Sequence, residues 1–390
     1  MMPPHKPLFL LTGLWACLTP LVWLRPAVLA DPVFWHLHEL FFGMASAAIG
    51  GYLLTALPHW TGQRPGSIAL WVLVMAWLVG RGAQLWDTLP TVVLIGVALA
   101  YPITLAAVVL GPIFQARAWR KAGMAMLPLG LGAADAALLL AHRRDAVPAA
   151  APFLMVLAFA LVIGLIGGRI VPAFTQSRIS QRSSGAKTLQ SGQILGGLAG
   201  AATSLAMLWL AIEGAQSGAG WALMLAGGLQ AVRLARWQSW VIKGQPDILM
   251  LHLAWAWLAA GLGLVGLALV WPQALWKTSS IHALTMGAMG SMIFAIAARA
   301  FMAREAGRLV VSADLAVGFA LISAAATGRV FLPDRHALGY SGLQWTALLW
   351  SSAWALFVGR LLHRWPRPVP HPILSANLGK RVRRPSAPVV

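Results

Sequence analysis

Apolar runs long enough to cross a bilayer recur from one end of this 390-residue chain to the other. About 20 residues of helix span the roughly 30 Å of hydrocarbon. Inside that layer each backbone N–H and C=O must find a partner without water, so open runs of this kind fold as helices. Composition agrees, with 59% hydrophobic and only 10% charged residues and a mean hydropathy of +0.74. A water-exposed surface needs about a quarter of its residues charged. The chain therefore reads as an all-α polytopic membrane protein of about twelve transmembrane helices. They are expected near 8–29, 36–58, 68–86, 91–114, 123–142, 150–172, 189–212, 219–241, 248–271, 281–302, 310–330 and 340–362. Connections are short, the longest lying around 173–188, so no soluble domain is inserted. Residues 1–363 make the transmembrane domain, and 364–390 form a basic, Pro-rich tail expected to be cytoplasmic and disordered. Val28-Leu29-Ala30 before Asp31 resembles a signal cleavage site, but the preceding segment is Pro-rich with Lys6 as its only firm charge, so the first run reads as a span.

The chain carries 29 Lys+Arg against 10 Asp+Glu, a net charge of +19. In a soluble protein that balance would suggest nucleic acid. Here the basic residues sit in short loops between apolar runs, and the expected partner is the lipid bilayer, with no nucleic acid. Counted on alternate sides of twelve helices, 22 Lys and Arg fall on the side of the N-terminus and 7 on the other. Basic loops stay on the cytoplasmic side, which places both termini there. Cys17 stands alone, which rules out an intrachain disulfide, a cysteine-ligated iron–sulfur cluster and covalent haem through C-x-x-C-H. Any cofactor must be held by His, Met or carboxylate.

Polar side chains within spans are costly and mark where chemistry is to be sought. Of ten histidines, five lie in or at the ends of expected helices: His36, His38, His59, His252 and His282. His36, His38 and His282 share one depth near the outer face, on helices 2 and 10, whereas His59 and His252 lie toward the cytoplasm. Three imidazoles at matched depth suit a b-type haem or copper, although histidines at an interface also serve simply to hydrogen-bond headgroups and backbone. Residues two apart point about 200° from one another around a helix, so His36 and His38 cannot easily serve one metal. One of them faces haem and the other a second metal or a carboxylate; which does which stays open. His36 and Glu39, three apart, fall on one face and are expected to join in such a second site. Arg81 and Arg329, at outer helix ends, suit haem propionates, although simple snorkelling to the interface explains them as well. Arg169 and Arg299 lie at inner ends and read as structural. Asp135 is the clear mid-span carboxylate, and a satisfied structural group is the plainer account of it.

Several segments together resemble the NnrS family. They are Trp35-His36-Leu37-His38-Glu39-Leu40-Phe41-Phe42-Gly43, Leu57-Pro58-His59-Trp60-Thr61-Gly62, Gly80-Arg81, Gly167-Gly168-Arg169-Ile170-Val171-Pro172, Leu251-His252-Leu253-Ala254-Trp255 and His282-Ala283-Leu284-Thr285-Met286-Gly287. The resemblance covers nearly the whole chain. It implies a twelve-helix bacterial inner-membrane protein that contains haem b and also copper, tied to the nitric oxide response and to denitrification. It also implies metal-binding roles for His36, His38, Glu39, His252 and His282. Where the family commonly has Asn this chain has His59, which is not an expected ligand. After helix 10, where the family commonly reads Leu-Gly-His-Thr-Gly-Arg, this chain has Met302-Ala303-Arg304-Glu305-Ala306-Gly307-Arg308. The missing histidine makes copper optional.

Main subunits of haem-copper oxidases and nitric oxide reductases offer an analogous scaffold, with low-spin haem ligands on helices 2 and 10. This chain lacks their consecutive histidine pair, so the analogy is one of fold. Two classes of function follow. One is a haem-dependent redox or NO-reactive membrane protein, with nitric oxide or a nitrosyl species at the iron and an electron donor the sequence does not identify. The other is a membrane transporter or handler of a metal or metal-nitrosyl species.

Overall fold

The computed structural model describes residues 3–86, 88–182, 189, 192–212, 216–242, 244–273, 277–305 and 308–367. The Pro-rich tail beyond 367, and Lys187 in the longest connection, lie outside the described residues. The helices are α1 Lys6–Leu24, α2 Pro32–Thr61, α3 Ser67–Ala83, α4 Thr91–Gln115, α5 Trp119–His142, α6 Ala151–Ser180, α7 Gln193–Ile212, α8 Gln216–Arg236, α9 Pro246–Val270, α10 Lys277–Arg299, α11 Ala313–Phe331 and α12 Gly342–His363. Among the described residues nine of these are long and apolar enough to cross a membrane; α3, α8 and α12 fall short in length or apolarity. The chain is thus an all-α polytopic membrane protein with about nine candidate spans. Two short antiparallel strand pairs connect α10 to α11 and α11 to α12.

Several helix boundaries differ from expectation: α6 runs on to Ser180, into the stretch expected as the longest connection, and two other boundaries differ for local reasons. Helix α1 tightens into a 3-10 turn over Thr19–Leu24 and stops before Arg25, because Pro20 and Pro26 lack the N–H that would continue the ladder. Helix α10 starts four residues earlier than the apolar run, at Lys277, where Ser280 Oγ donates to Lys277 O at 2.7 Å. The polar turn so added places His282 after the first turn of α10.

Consecutive helices pack side by side, with α5 and α6 the exception, and α12 returns to close against α1. There Trp350 Nε1 donates to Ala16 O at 2.9 Å and Cys17 Sγ to Ser351 O at 3.3 Å. At the terminal end of the bundle Lys6 Nζ donates to three carbonyls just past α12: Arg364 O at 3.3 Å, Trp365 O at 2.8 Å and Arg367 O at 3.0 Å. A cation on the carbonyl end of a helix is favourably placed. This contact ties both ends of the bundle sequence to one side. Helices α8 and α9 approach backbone to backbone: a Cβ on Gly266 would meet Gly220 O at 2.5 Å, and one on Gly227 would meet Ala259 O at 2.7 Å. Lipid gives helices no hydrophobic incentive to associate, so such close van der Waals approach is what holds a pair together.

The two most buried candidate spans, α2 and α10, each contain a π-helical segment immediately after a histidine. In α2 it covers Glu39–Ala45, directly after His38. In α10 it covers Ala283–Gly290, directly after His282. A π turn breaks the i→i−4 ladder and needs replacement partners. In α2 these are supplied by Trp77 Nε1, which donates to Gly43 O at 3.0 Å, and by the Ser46 hydroxyl, which donates to the carbonyls of Phe42 and Gly43. Glycine is required at Gly43, where a Cβ would meet Trp15 Cδ1 at 2.5 Å, and at Gly287, where it would meet Trp257 at the same distance.

Candidate functional site

At the end of the bundle away from the termini, α2 presents its two histidines in opposite directions. His38 turns toward α3 and α5. Its Nδ1 lies 3.0 Å from Glu39 Oε1 and its Nε2 2.7 Å from Asp135 Oδ1. Arg81 Nη1 donates to Glu39 Oε1 at 2.9 Å and Arg81 Nη2 stands 3.9 Å from Asp135 Oδ2, while Trp15 Nε1 donates to Glu39 Oε2 at 2.5 Å. These are buried charges: relative exposure is 0% for Glu39, 1% for His38, 3% for Asp135 and 5% for Arg81. With two carboxylates against one guanidinium, the group is neutral when it holds one further proton. Buried charge survives only when it is paired in this way.

This arrangement corrects the expected pairing of His36 with Glu39. Both Glu39 oxygens are engaged by His38, Arg81 and Trp15, which leaves neither for a site shared with His36. Arg81 donates to Glu39 and stands beside Asp135, while its Nε is buried without a hydrogen-bond partner. Asp135 is the residue whose role the sequence concealed, since nothing in its spacing points to a histidine 97 positions away.

His36 faces the other side, toward α1, α10 and α11. Its Nδ1 accepts from Trp23 Nε1 at 3.3 Å, with the two rings edge to face and centroids 5.4 Å apart. His282, at the start of α10, lies near enough to His36 for the two to act on one another electrostatically, and Arg329 at the end of α11 acts on both. His282 Nδ1 is 2.6 Å from Thr278 O, one turn back on its own helix. Among the described residues neither His36 Nε2 nor His282 Nε2 has a hydrogen-bond partner, and Arg329 Nε is buried without one. Two half-buried imidazoles and a guanidinium with a spare donor, from three helices, thus stand within electrostatic reach of one another.

His252 belongs to a separate environment at the opposite end of the bundle. Its Nε2 is 2.8 Å from Thr175 Oγ1 and its Nδ1 2.8 Å from Ser239 Oγ. The Thr175 hydroxyl donates to Val171 O at 2.8 Å, so it must accept from Nε2–H, leaving Nδ1 to accept from Ser239. Both ring nitrogens are occupied, and no lone pair is left for a metal. Nearby, Arg299 Nη1 donates to Asp247 Oδ2 at 2.6 Å, and Arg233 lies over the rings of Trp237 and Trp255. His59 is exposed near the end of α2. Among the described residues no group of three or more His, Cys, Asp or Glu is arranged to hold a metal ion.

No curated protein and no solved structure matches the chain. A family model described as NnrS protein matches residues 1–368. That span takes in every helix of the bundle and both π segments with the histidines that precede them, and it shows that the chain belongs to the NnrS family.

Proposed function

We propose that this protein is a haem-binding inner-membrane protein of the bacterial nitric oxide and nitrosative-stress response, with a b-type haem near the periplasmic face held by His282 and faced by His36. The observation that supports this reading is the convergence of two imidazoles, each with an unpartnered Nε2, from the two most buried helices. Arg329, with a buried Nε lacking a partner, suits a haem propionate. The residues therefore fit the group that the family implies. Bound there, haem supplies an iron that accepts an electron and a diatomic ligand such as nitric oxide. The protein's part is to orient the two imidazoles, to compensate propionate charge through Arg329, and to keep the buried charges of α2, α3 and α5 paired beside the site.

All twelve helices cross the membrane in this proposal, with both termini cytoplasmic. What supports this is Lys6, which bonds to the carbonyls after α12 and so favours an even number of crossings. Helix α3, at 17 residues, is at the lower limit for spanning. Copper is optional: Glu39, the carboxylate nearest His36 in sequence, is already fully engaged.

A visible spectrum of the purified protein is the direct test. A Soret band that shifts on reduction is expected, and His282→Ala should lose most of the bound haem while His59→Ala keeps it. Equal haem content in these two variants would overturn the ligand assignment. A colourless preparation, after expression with haem in supply, would favour the alternative of a transporter or handler of a metal or metal-nitrosyl species.

A further inference from the structure

The two imidazoles that converge near Arg329 differ in one respect that decides what each can do as a ligand. A neutral imidazole carries one proton, and the nitrogen without it holds the lone pair. Trp has a donor and no acceptor, so Trp23 Nε1–H at 3.3 Å obliges His36 Nδ1 to present its lone pair and puts the proton on Nε2. A backbone carbonyl is an acceptor only, so Thr278 O at 2.6 Å obliges His282 Nδ1 to carry the proton and leaves the lone pair on Nε2. The partner chemistry fixes both assignments, and they are opposite. His282 is set in the form in which an imidazole ligates iron or another metal through Nε2, with its second nitrogen bonded to a carbonyl as metal-bound histidines commonly are. His36 is set in the form that cannot ligate through Nε2 until the bond from Trp23 is given up and the proton moves to Nδ1.

We infer that His282 would be the fixed ligand of a haem held here and His36 an exchangeable one, and that Trp23 is the positioning residue that would keep His36 off the metal so that an external diatomic ligand could take its place. This rests on the haem reading above and adds an asymmetry to it. Trp23 is well placed for such a role. It sits in the 3-10 turn that closes α1, beyond the helical part and next to the start of α2, where a small change in the turn alters its contact with His36. Thr278 lies four residues before His282 on the same helix, so the second hydrogen bond cannot be lost without unwinding that turn.

The experiment compares the purified full-length protein with Trp23→Phe, His36→Ala and His282→Ala. Each is assayed for haem content, for spin state by visible and electron paramagnetic resonance spectra, and for the rate of carbon monoxide binding after reduction. His36→Ala should keep its haem and become fully five-coordinate. His282→Ala should lose most of it and regain it on addition of imidazole, which separates a missing ligand from a misfolded chain. Trp23→Phe keeps the aromatic packing but removes the donor. It should move the spectrum toward the six-coordinate low-spin form and slow carbon monoxide binding roughly 3- to 10-fold, the worth of one hydrogen bond in the competition. An unchanged spin state and rate in Trp23→Phe would overturn the role of Trp23. Equal haem loss in His36→Ala and His282→Ala would overturn the asymmetry while leaving bis-histidine haem standing. A wild-type chain that takes up no haem would overturn the haem reading itself.

Discussion

At the scale of single residues, histidine is the residue type whose position carried most information, yet its partners decide its role. His36 and His38 are two apart on a helix, and their opposite directions follow from the helical period alone. Which of them meets carboxylates and which meets His282 depends on α3 and α5 lying on one flank of α2 and on α10 and α11 approaching the other, and no local spacing encodes that. Glu39 and Arg81 were legible as functional or structural polar groups, but not as partners of one another. Removing Arg81 leaves two buried carboxylates without their cation, so Arg81→Gln should lower stability by about 3–5 kcal/mol, and Glu39→Gln, which leaves Asp135 to compensate Arg81, should cost less. The double variant should cost clearly less than the sum, measured by thermal unfolding in detergent. Strict additivity would mean that the 2.9 Å contact contributes nothing. His252→Ala leaves the hydroxyls of Thr175 and Ser239 without their partner and should cost about 1–3 kcal/mol. Haem content should be untouched; loss of haem in this variant would show that His252 belongs to the outer site after all.

At the scale of elements, the apolar runs located the helices well, and the departures trace to proline and to polar turns that a hydropathy window averages away. The π segments of α2 and α10 were invisible to the sequence reading, since regular and π-helical backbones need the same apolar side chains. What distinguishes them is a set of substitutes for the broken ladder, Trp77 and Ser46 in α2, together with glycines that accept a tryptophan ring. The glycine contacts of α8 and α9 allow an internal control. Gly266→Ala forces a Cβ onto the carbonyl of Gly220 and should destabilise by about 1–3 kcal/mol. Gly263→Ala, on the same helix, meets nothing within 4 Å and should be neutral or mildly stabilising because alanine is the better helix former. Comparable losses from both would contradict the close α8–α9 approach.

At the scale of the whole molecule, topology and metal content test the architecture together. Reporter fusions after residue 180 and at the C-terminus are expected to behave as cytoplasmic; a periplasmic signal from either would remove the charge argument and the shared depth of His36, His38 and His282. Metal analysis of haem-loaded protein after mild chelation should give clearly less than one copper per haem, since Glu39 and His252 have no free ligand atom to offer. Copper held tightly at one per haem, and lost together with haem in His252→Ala, would contradict both the separation of the two ends and the optional status of copper.

The amino-acid sequence determined by itself that this chain lives in a bilayer as a helical bundle, because a surface with so few charges cannot face water and backbone in hydrocarbon must pair within helices. It also carried the family, through motifs spread over nearly the whole chain, and the separation of His36 from His38, through helical geometry. Tertiary structure alone decided the partners. Asp135 meets His38, Trp15 meets Glu39, Trp23 meets His36, and Arg329 comes within electrostatic reach of His282, because the placement of distant segments depends on how helices pack and rotate. In a membrane that rotation is set by close glycine approach and by a few buried polar bonds. Such interactions are made across helices and leave no periodic trace along any one of them.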